Sequence, residues 1–488
     1  MGSKLSQNAL SYAVRLHVVG HYIGELGLVL AAVSLVPLLF AVCAGDAGFA
    51  ARTALCVGLT GGAAFGLSRL PAPERIQHNE ALVICGSMFL IAPLVMVYPL
   101  VGEGLSFVDA LFETVSGVTT TGLSTVASLE TRSASFIFSR AWMQWYGGLG
   151  ILALSLALLT RPGMAARRLS DSEADEDETV GGTRAHSRRI LMAYLGLTVA
   201  GILLLLAFGA PLMSALTHAM AGISTGGFSP YENSLAGMPG WGIRGAVLLV
   251  STAGAVSFVL YYRFLGGTWR RDIRNVELRA LIVLCLLVSA GLALTMHFSM
   301  PLPWGEVIGH ALSMGFSAQT TTGFATMDIG ELHPVARFVL TVSMFVGGNL
   351  GSTAGGIKVV RLLIMLQLLR AMIRGTSLTE HAVEAPRLGG RPVEPAAARD
   401  ALLVIFLFLG IVSLSWMAFL AAGHDPMNSL FDVVSATGTV GLSTGVVGPE
   451  LEPALKGVLC FDMLAGRLEM LALLTLMYPG TWIGRRRN

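Results

Sequence analysis

One pattern constrains this chain more than any other: the element Thr-x-Gly-(Leu/Phe)-(Ser/Ala) occurs four times at near-regular intervals. The first copy lies in Phe112-Glu113-Thr114-Val115-Ser116-Gly117-Val118-Thr119-Thr120-Thr121-Gly122-Leu123-Ser124-Thr125. The fourth lies in Phe431-Asp432-Val433-Val434-Ser435-Ala436-Thr437-Gly438-Thr439-Val440-Gly441-Leu442-Ser443-Thr444, and the two align without a gap. The second ends Ser224-Thr225-Gly226-Gly227-Phe228-Ser229, and the third Thr320-Thr321-Thr322-Gly323-Phe324-Ala325. The shared glycines Gly122, Gly227, Gly323 and Gly441 stand 105, 96 and 118 residues apart. A repeat of fixed period points to copies of one supersecondary unit. One such loop alone would be an ordinary turn.

The surrounding sequence says what the unit is. The chain of 488 residues is 54% hydrophobic and 13% charged, against about 25% charged in a soluble protein. Apolar stretches of spanning length, about 20 residues, predict ten helices near 21–44, 50–68, 80–100, 135–160, 190–209, 241–264, 280–298, 335–373, 400–422 and 454–479. Each unit then holds an outer helix, a short re-entrant helix, a Thr-Gly strand and an inner helix. The expected fold is an all-α polytopic membrane protein with four helix–loop–helix repeats around a pseudo-fourfold pore, preceded by two extra helices. The corresponding divisions are 1–70 for the N-terminal pair, 71–162 for repeat 1, 163–188 for a linker, 189–265 for repeat 2, 266–375 for repeat 3, 376–398 for a second linker and 399–488 for repeat 4.

Arginines orient the chain. They crowd 161–189 and 263–279, recur at Arg370, Arg374, Arg387 and Arg391, and close the chain at Arg485, Arg486 and Arg487. The positive-inside rule places these loops and both termini in the cytoplasm. The acidic run 171–178 reads as a solvated segment. The net charge of +2 gives no reason to expect nucleic acid. The five cysteines are scattered without metal-ligand or disulfide spacing.

The loop chemistry suits a dehydrated cation. Rings of backbone carbonyls can replace an ion's hydration shell, glycine admits the dihedrals this needs, and the C-terminal ends of re-entrant helices carry negative dipole charge. No filter segment contains a carboxylate. The candidate ion-binding residues are therefore Thr119, Thr120, Thr121 and Gly122; Ser224, Thr225, Gly226 and Gly227; Thr320, Thr321, Thr322 and Gly323; and Gly438, Thr439, Val440 and Gly441. The stretch 335–373 is too long for one span, and Gly347–Gly356 in its middle is rich in helix-breaking glycine.

Other readings are weaker. Gly222-Ile223-Ser224-Thr225-Gly226 and Gly441-Leu442-Ser443-Thr444-Gly445 match G-x-S-x-G, but a hydrolase needs a strand-to-helix elbow with His and Asp partners, and no enzyme is expected. Gly351–Lys358 lacks the ending of a phosphate-binding loop. A secondary transporter with broken helices would need coupling carboxylates, for which the spans offer few, such as Glu25 and Glu469. His218 and His310 read as structural.

At this point the sequence resembles the Trk/Ktr/HKT superfamily of potassium transporters, and most closely its TrkH/TrkG branch. The resemblance rests on the four loops, on Gln144-Trp145-Tyr146-Gly147-Gly148-Leu149-Gly150, on Gly347–Lys358 with Val359, Val360 and Arg361, and on Gly466-Arg467-Leu468-Glu469. It implies K⁺ as the transported ion with no organic cofactor, and uptake across a bacterial inner membrane. It implies a gating loop comprising Gly347, Gly348, Asn349, Gly351, Ser352, Thr353, Gly355 and Gly356, followed by Lys358, with Arg467 as an electrostatic barrier beneath the filter. It also implies a homodimer over a cytoplasmic nucleotide-binding regulatory subunit of the TrkA type. Gly122 at the first filter position favours K⁺ over Na⁺, with Na⁺ or mixed conduction as the alternative. The fourth loop, Thr439-Val440-Gly441, departs from the branch's usual pattern.

Overall fold

The computed structural model describes residues 13–73, 76–159, 180–265, 275–377 and 385–483. The acidic run 171–178 and the arginines of 161–179, 266–274 and 485–487 lie outside them.

Six helices are long and apolar enough to cross a membrane among the described residues. Two are the N-terminal pair, Leu16–Cys43 and Ala47–Ser68. The other four are the outer helices, His78–Val101, Val180–Ala207, Val276–Ser299 and Pro395–Ala421. They are apolar on nearly all sides, as lipid requires, and expose large side chains such as Leu203, Leu287 and Phe406.

Behind each outer helix the chain turns into a re-entrant helix: Phe107–Val118, Leu212–Ile223, Trp304–Gln319 and Pro426–Thr437. Local chemistry starts them. The Ser106 hydroxyl accepts the Asp109 N–H at 3.1 Å and the Asp425 carboxylate the Asn428 N–H at 2.9 Å, each satisfying an orphan donor of the first turn. Each re-entrant helix packs between its own outer and inner helices and also against the inner helix of the preceding repeat, the first against that of the fourth. That order closes the four repeats into a ring. The N-terminal pair lies outside it, against the first outer and inner helices.

The inner helices correct the sequence expectation. Only the first, Ala134–Leu159, runs unbroken. The third splits into Pro334–Phe345 and Val359–Gly375 around the glycine-rich stretch. The predicted single spans 241–264 and 454–479 are also broken, into Trp241–Ala255 with Phe258–Leu265 and Pro453–Arg467 with Leu471–Met477. In the second, the carbonyls that would carry the helix onward are taken from outside: Gly254 O accepts the Thr353 N–H at 3.1 Å and Ala255 O the Asn349 N–H at 3.0 Å. In the fourth, Glu469 and Met470 adopt positive φ (49° and 61°). Their N–H groups bond back to Gly466 O and Ala465 O, a Schellman ending made without glycine. Between the third inner helix and the fourth outer helix, a two-stranded hairpin pairs Arg387 with Pro392 and Leu388 with Arg391.

Candidate functional site

The four Thr-Gly segments share one backbone. Each re-entrant helix ends in a Schellman motif, in which the second residue past the cap bonds five residues back. The bonds are Thr121 N–H to Ser116 O (2.9 Å), Gly226 to Ala221 (2.7 Å), Thr322 to Ser317 (2.8 Å) and Val440 to Ser435 (2.8 Å). The left-handed position, which glycine normally fills, is held each time by threonine: Thr120, Thr225, Thr321 and Thr439, with φ of 52°, 51°, 53° and 48°. A β-branched residue there is strained, at a cost of about 1–3 kcal/mol per site. Two residues later the chain is left-handed again at Gly122, Gly227, Gly323 and Gly441.

Those glycines close a ring. A β-carbon at Gly122 would collide with the Gly226 carbonyl oxygen, one at Gly227 with that of Thr322, one at Gly323 with that of Val440, and one at Gly441 with that of Thr121. Loop 1 thus abuts loop 2, 2 abuts 3, 3 abuts 4, and 4 returns to 1. Each joint is a glycine against the carbonyl of the residue preceding the next loop's glycine. All sixteen predicted ion-site residues lie on these four segments, from Thr119 to Gly441.

Side chains brace the ring from behind. The Ser116 and Ser435 hydroxyls accept the Gly122 and Gly441 N–H groups, both at 3.0 Å. The Thr119 and Thr121 hydroxyls meet at 2.8 Å, as do those of Thr320 and Thr322. Gln144, on the first inner helix, clasps the second loop: its Nε2 donates to Gly226 O at 2.5 Å and its Oε1 accepts the Phe228 N–H at 3.0 Å. Buried Arg140 pairs with Glu113, donates to Ser229 O at 3.3 Å and stacks on Phe228 with its guanidinium carbon 3.9 Å from the ring centroid. The sequence reading did not select Glu113, Arg140 or Gln144 as site residues. Its one available signal was the acid at matching register before the first and fourth loops, Glu113 and Asp432.

Beneath the ring lies the glycine-rich interruption of the third inner helix. Its two limbs are joined by Gly347 N–H to Ile357 O and Ile357 N–H to Phe345 O, both 2.9 Å. Its tip touches three of the four Thr-Gly segments. The Thr353 hydroxyl sits 2.9 Å from Ile223 O and 2.9 Å from Gly254 O, and 3.5 Å from the Thr225 hydroxyl. Gly355 N–H donates to the Thr321 hydroxyl at 2.7 Å, and a β-carbon on Gly355 would strike Thr439. The Thr120 and Thr439 hydroxyls are buried without a hydrogen-bond partner among the described residues.

Charged groups hold the loop in turn. Arg467, 2% exposed, donates from Nη1 to Thr353 O at 2.7 Å. The Lys358 ammonium turns back onto Ala354 O. Glu469 does not partner Arg467; it pairs with Arg361 at 2.5 Å. Glu277, at the start of the third outer helix, accepts the Leu350 N–H at 3.1 Å. Gly347, Gly348, Asn349, Gly351, Ser352, Thr353, Gly355, Gly356, Lys358 and Arg467 therefore lie together under the ring. Among the described residues, no group of three or more His, Cys, Asp or Glu is arranged to hold a metal ion.

Comparison with known proteins gives the family and the fold. The TrkH family model, described as a cation transport protein, matches residues 73–479. A cation transporter of Methanocaldococcus jannaschii is 32% identical over 420 residues, 84% of this chain and 85% of the relative. The Trk system potassium uptake protein TrkI of Halomonas elongata is 32% identical over 411 residues, 81% of each. The crystal structure of the potassium transporter TrkH from Vibrio parahaemolyticus superposes with a TM-score of 0.85 at 23% identity, covering 96% of this chain and 100% of that one.

Proposed function

Because this chain belongs to the TrkH family of cation transport proteins, we propose that it takes up K⁺ across the cytoplasmic membrane of a bacterium. The ion passes through the ring formed by residues 119–122, 224–227, 320–323 and 438–441. The observation that carries the proposal is the cyclic abutment of Gly122, Gly227, Gly323 and Gly441 on the carbonyls of Gly226, Thr322, Val440 and Thr121. Four main-chain oxygens at one level are the ligand set that can replace water around a bare monovalent cation. The Schellman endings satisfy the helices' own terminal carbonyls, and of the four ring carbonyls Gly226 O also receives Gln144 Nε2 from the first inner helix. Relatives named as potassium uptake proteins support K⁺ as cargo.

The loop 347–356 is the gate. It sits against the base of three filter segments, and Arg467 and Lys358 add positive charge where an ion would leave. A buried cation in a membrane is costly and defaults to function; here it opposes K⁺ while the loop is in place. The chain works as a homodimer with one pore per protomer, both termini cytoplasmic, over a nucleotide-binding regulatory subunit of the TrkA type. The repeat divisions given above follow the same plan.

The test is flux of K⁺ and of Na⁺ into proteoliposomes of the purified protein. K⁺ uptake exceeding Na⁺ uptake under equal gradients is expected. Equal or larger Na⁺ uptake would make it a Na⁺ or mixed conductor, and a proton requirement persisting at saturating K⁺ would make it a coupled carrier.

A further inference from the structure

Three of the four loops are tied to their own re-entrant helices by the same polar pair. Nine residues before each filter glycine stands an anchor, and two residues after it a serine. In repeat 1, the Ser124 hydroxyl donates to Glu113 at 3.0 Å. In repeat 4, the Ser443 hydroxyl donates to Asp432 at 2.7 Å, and Asp432 also receives the N–H groups of Thr444 (2.8 Å) and Val447 (3.0 Å) and the Thr444 hydroxyl (3.0 Å). In repeat 2, His218 Nδ1 lies 2.8 Å from the Ser214 carbonyl oxygen. A carbonyl can only accept, so Nδ1 carries the proton, and Nε2 accepts from the Ser229 hydroxyl at 3.2 Å. Glu113, His218 and Asp432 are all fully buried.

Repeat 3 departs from the rule. Its two positions are Met314 and Ala325, whose side chains cannot form this bond. The third strand is held instead from the neighbouring repeat: Ala325 N–H donates to the Ser234 hydroxyl at 3.2 Å and Ala325 O accepts the Leu235 N–H at 2.9 Å. His310 reaches Thr326 at 2.8 Å, one residue further along.

We propose that Glu113, His218 and Asp432 are positioning residues for ion selectivity: by fixing Ser124, Ser229 and Ser443 they stop three sides of the carbonyl ring from closing around a cation smaller than K⁺. K⁺ and Na⁺ differ in radius by a fraction of an ångström, so a ring of carbonyls discriminates only as far as it resists contraction. The ring's own backbone offers little resistance, because each joint is a glycine with wide dihedral freedom. Stiffness must come from the side chains that hold the segments: Ser116, Ser435 and Gln144 brace the glycines and their neighbour, and these bonds hold the strand two residues beyond. The third side, tied across to repeat 2, moves with its neighbour. The inference rests on the ring being the ion path.

The test replaces the serines, leaving the buried anchors in place. Full-length Ser124→Ala, Ser229→Ala and Ser443→Ala proteins, and the hydroxyl-retaining Ser→Thr counterparts, are reconstituted, and K⁺ and Na⁺ uptake are measured separately. Each alanine variant is expected to lower the K⁺-to-Na⁺ ratio about threefold to tenfold, the worth of one hydrogen bond. The loss should come through faster Na⁺ uptake, with K⁺ uptake retained, and threonine should restore the ratio. Alanine variants with the wild-type ratio would overturn the inference, as would threonine variants as unselective as alanine. A wild type that itself fails to prefer K⁺ would overturn the K⁺ reading first, and is distinguishable because it needs no variant.

Discussion

The backbone N–H of Gly355 donates to the hydroxyl of Thr321 at 2.7 Å, so the loop interrupting the third inner helix is bonded directly to the base of the carbonyl ring. The strained left-handed threonine of the third loop thereby serves two elements: its backbone turns the strand into the ring and its hydroxyl receives the N–H of the interrupting loop. Any movement of loop 347–356 away from the ring must break this bond and those of Thr353.

Thr353 gives the first prediction. Its hydroxyl lies within hydrogen-bond reach of two buried carbonyls, Ile223 O and Gly254 O. Thr353→Val keeps the shape and removes the hydroxyl donor; Gly254 O keeps the Thr353 N–H, while Ile223 O loses this bond in the seated state at a cost of about 1–3 kcal/mol. A shift of that size changes an open-to-closed ratio about 5- to 150-fold. K⁺ uptake without regulatory subunit should rise accordingly.

Arg467 gives the second. Its guanidinium is buried and bonded to Thr353 O, with Nε and Nη2 lacking partners among the described residues. Arg467→Gln removes the charge but retains a donor. K⁺ uptake should rise about tenfold or more, the equivalent of at least 1.4 kcal/mol. Arg467→Lys should stay near wild type. Equal rates for the two variants would assign the effect to packing instead of charge.

Glu277 separates charge from hydrogen bonding. Its carboxylate accepts the Leu350 N–H at 3.1 Å and so ties loop 347–356 to the third outer helix. Glu277→Gln keeps an acceptor oxygen and should leave basal uptake close to wild type. Glu277→Ala removes it and should raise basal uptake several-fold, about 1 kcal/mol of lost hydrogen bond. The comparison is made in proteoliposomes without regulatory subunit.

The buried Arg140–Glu113 pair is expected to act on stability. Breaking a buried ion pair by removing one partner costs about 3–5 kcal/mol. Arg140 also supports Phe228 and Ser229 O in the next loop. Arg140→Ala should therefore lower the thermal midpoint of the detergent-solubilised protein by several degrees. Replacing both partners with apolar residues should recover part of the loss.

Much of this architecture was legible in the sequence, for physical reasons. The four Thr-x-Gly segments carry their geometry locally, since a Schellman turn followed by a left-handed glycine needs only a few residues. The glycine-rich stretch 347–356 announced its own break. The other two breaks did not. Around Gly254 and Ala255 the sequence is an apolar helix, ended because residues about a hundred positions later capture its carbonyls. At Leu468-Glu469-Met470 all three residues favour helix, and tertiary contacts prevail: Arg467 is drawn to Thr353 and Glu469 to Arg361. The anchors were half visible. Glu113 and Asp432 share a register, but His218 in the same place is a different residue type, and its role emerges only from the bond to Ser229.

The most direct measurement is ion selectivity of Gly122→Ser in reconstituted vesicles, with K⁺ and Na⁺ tested separately against wild type. Gly122 has φ of 93° and no room for a β-carbon beside the Gly226 carbonyl. Serine must displace one joint of the ring, so K⁺ preference should be lost while the protein still inserts and moves ions. An unchanged K⁺-to-Na⁺ ratio would mean that the ion does not pass between these four loops.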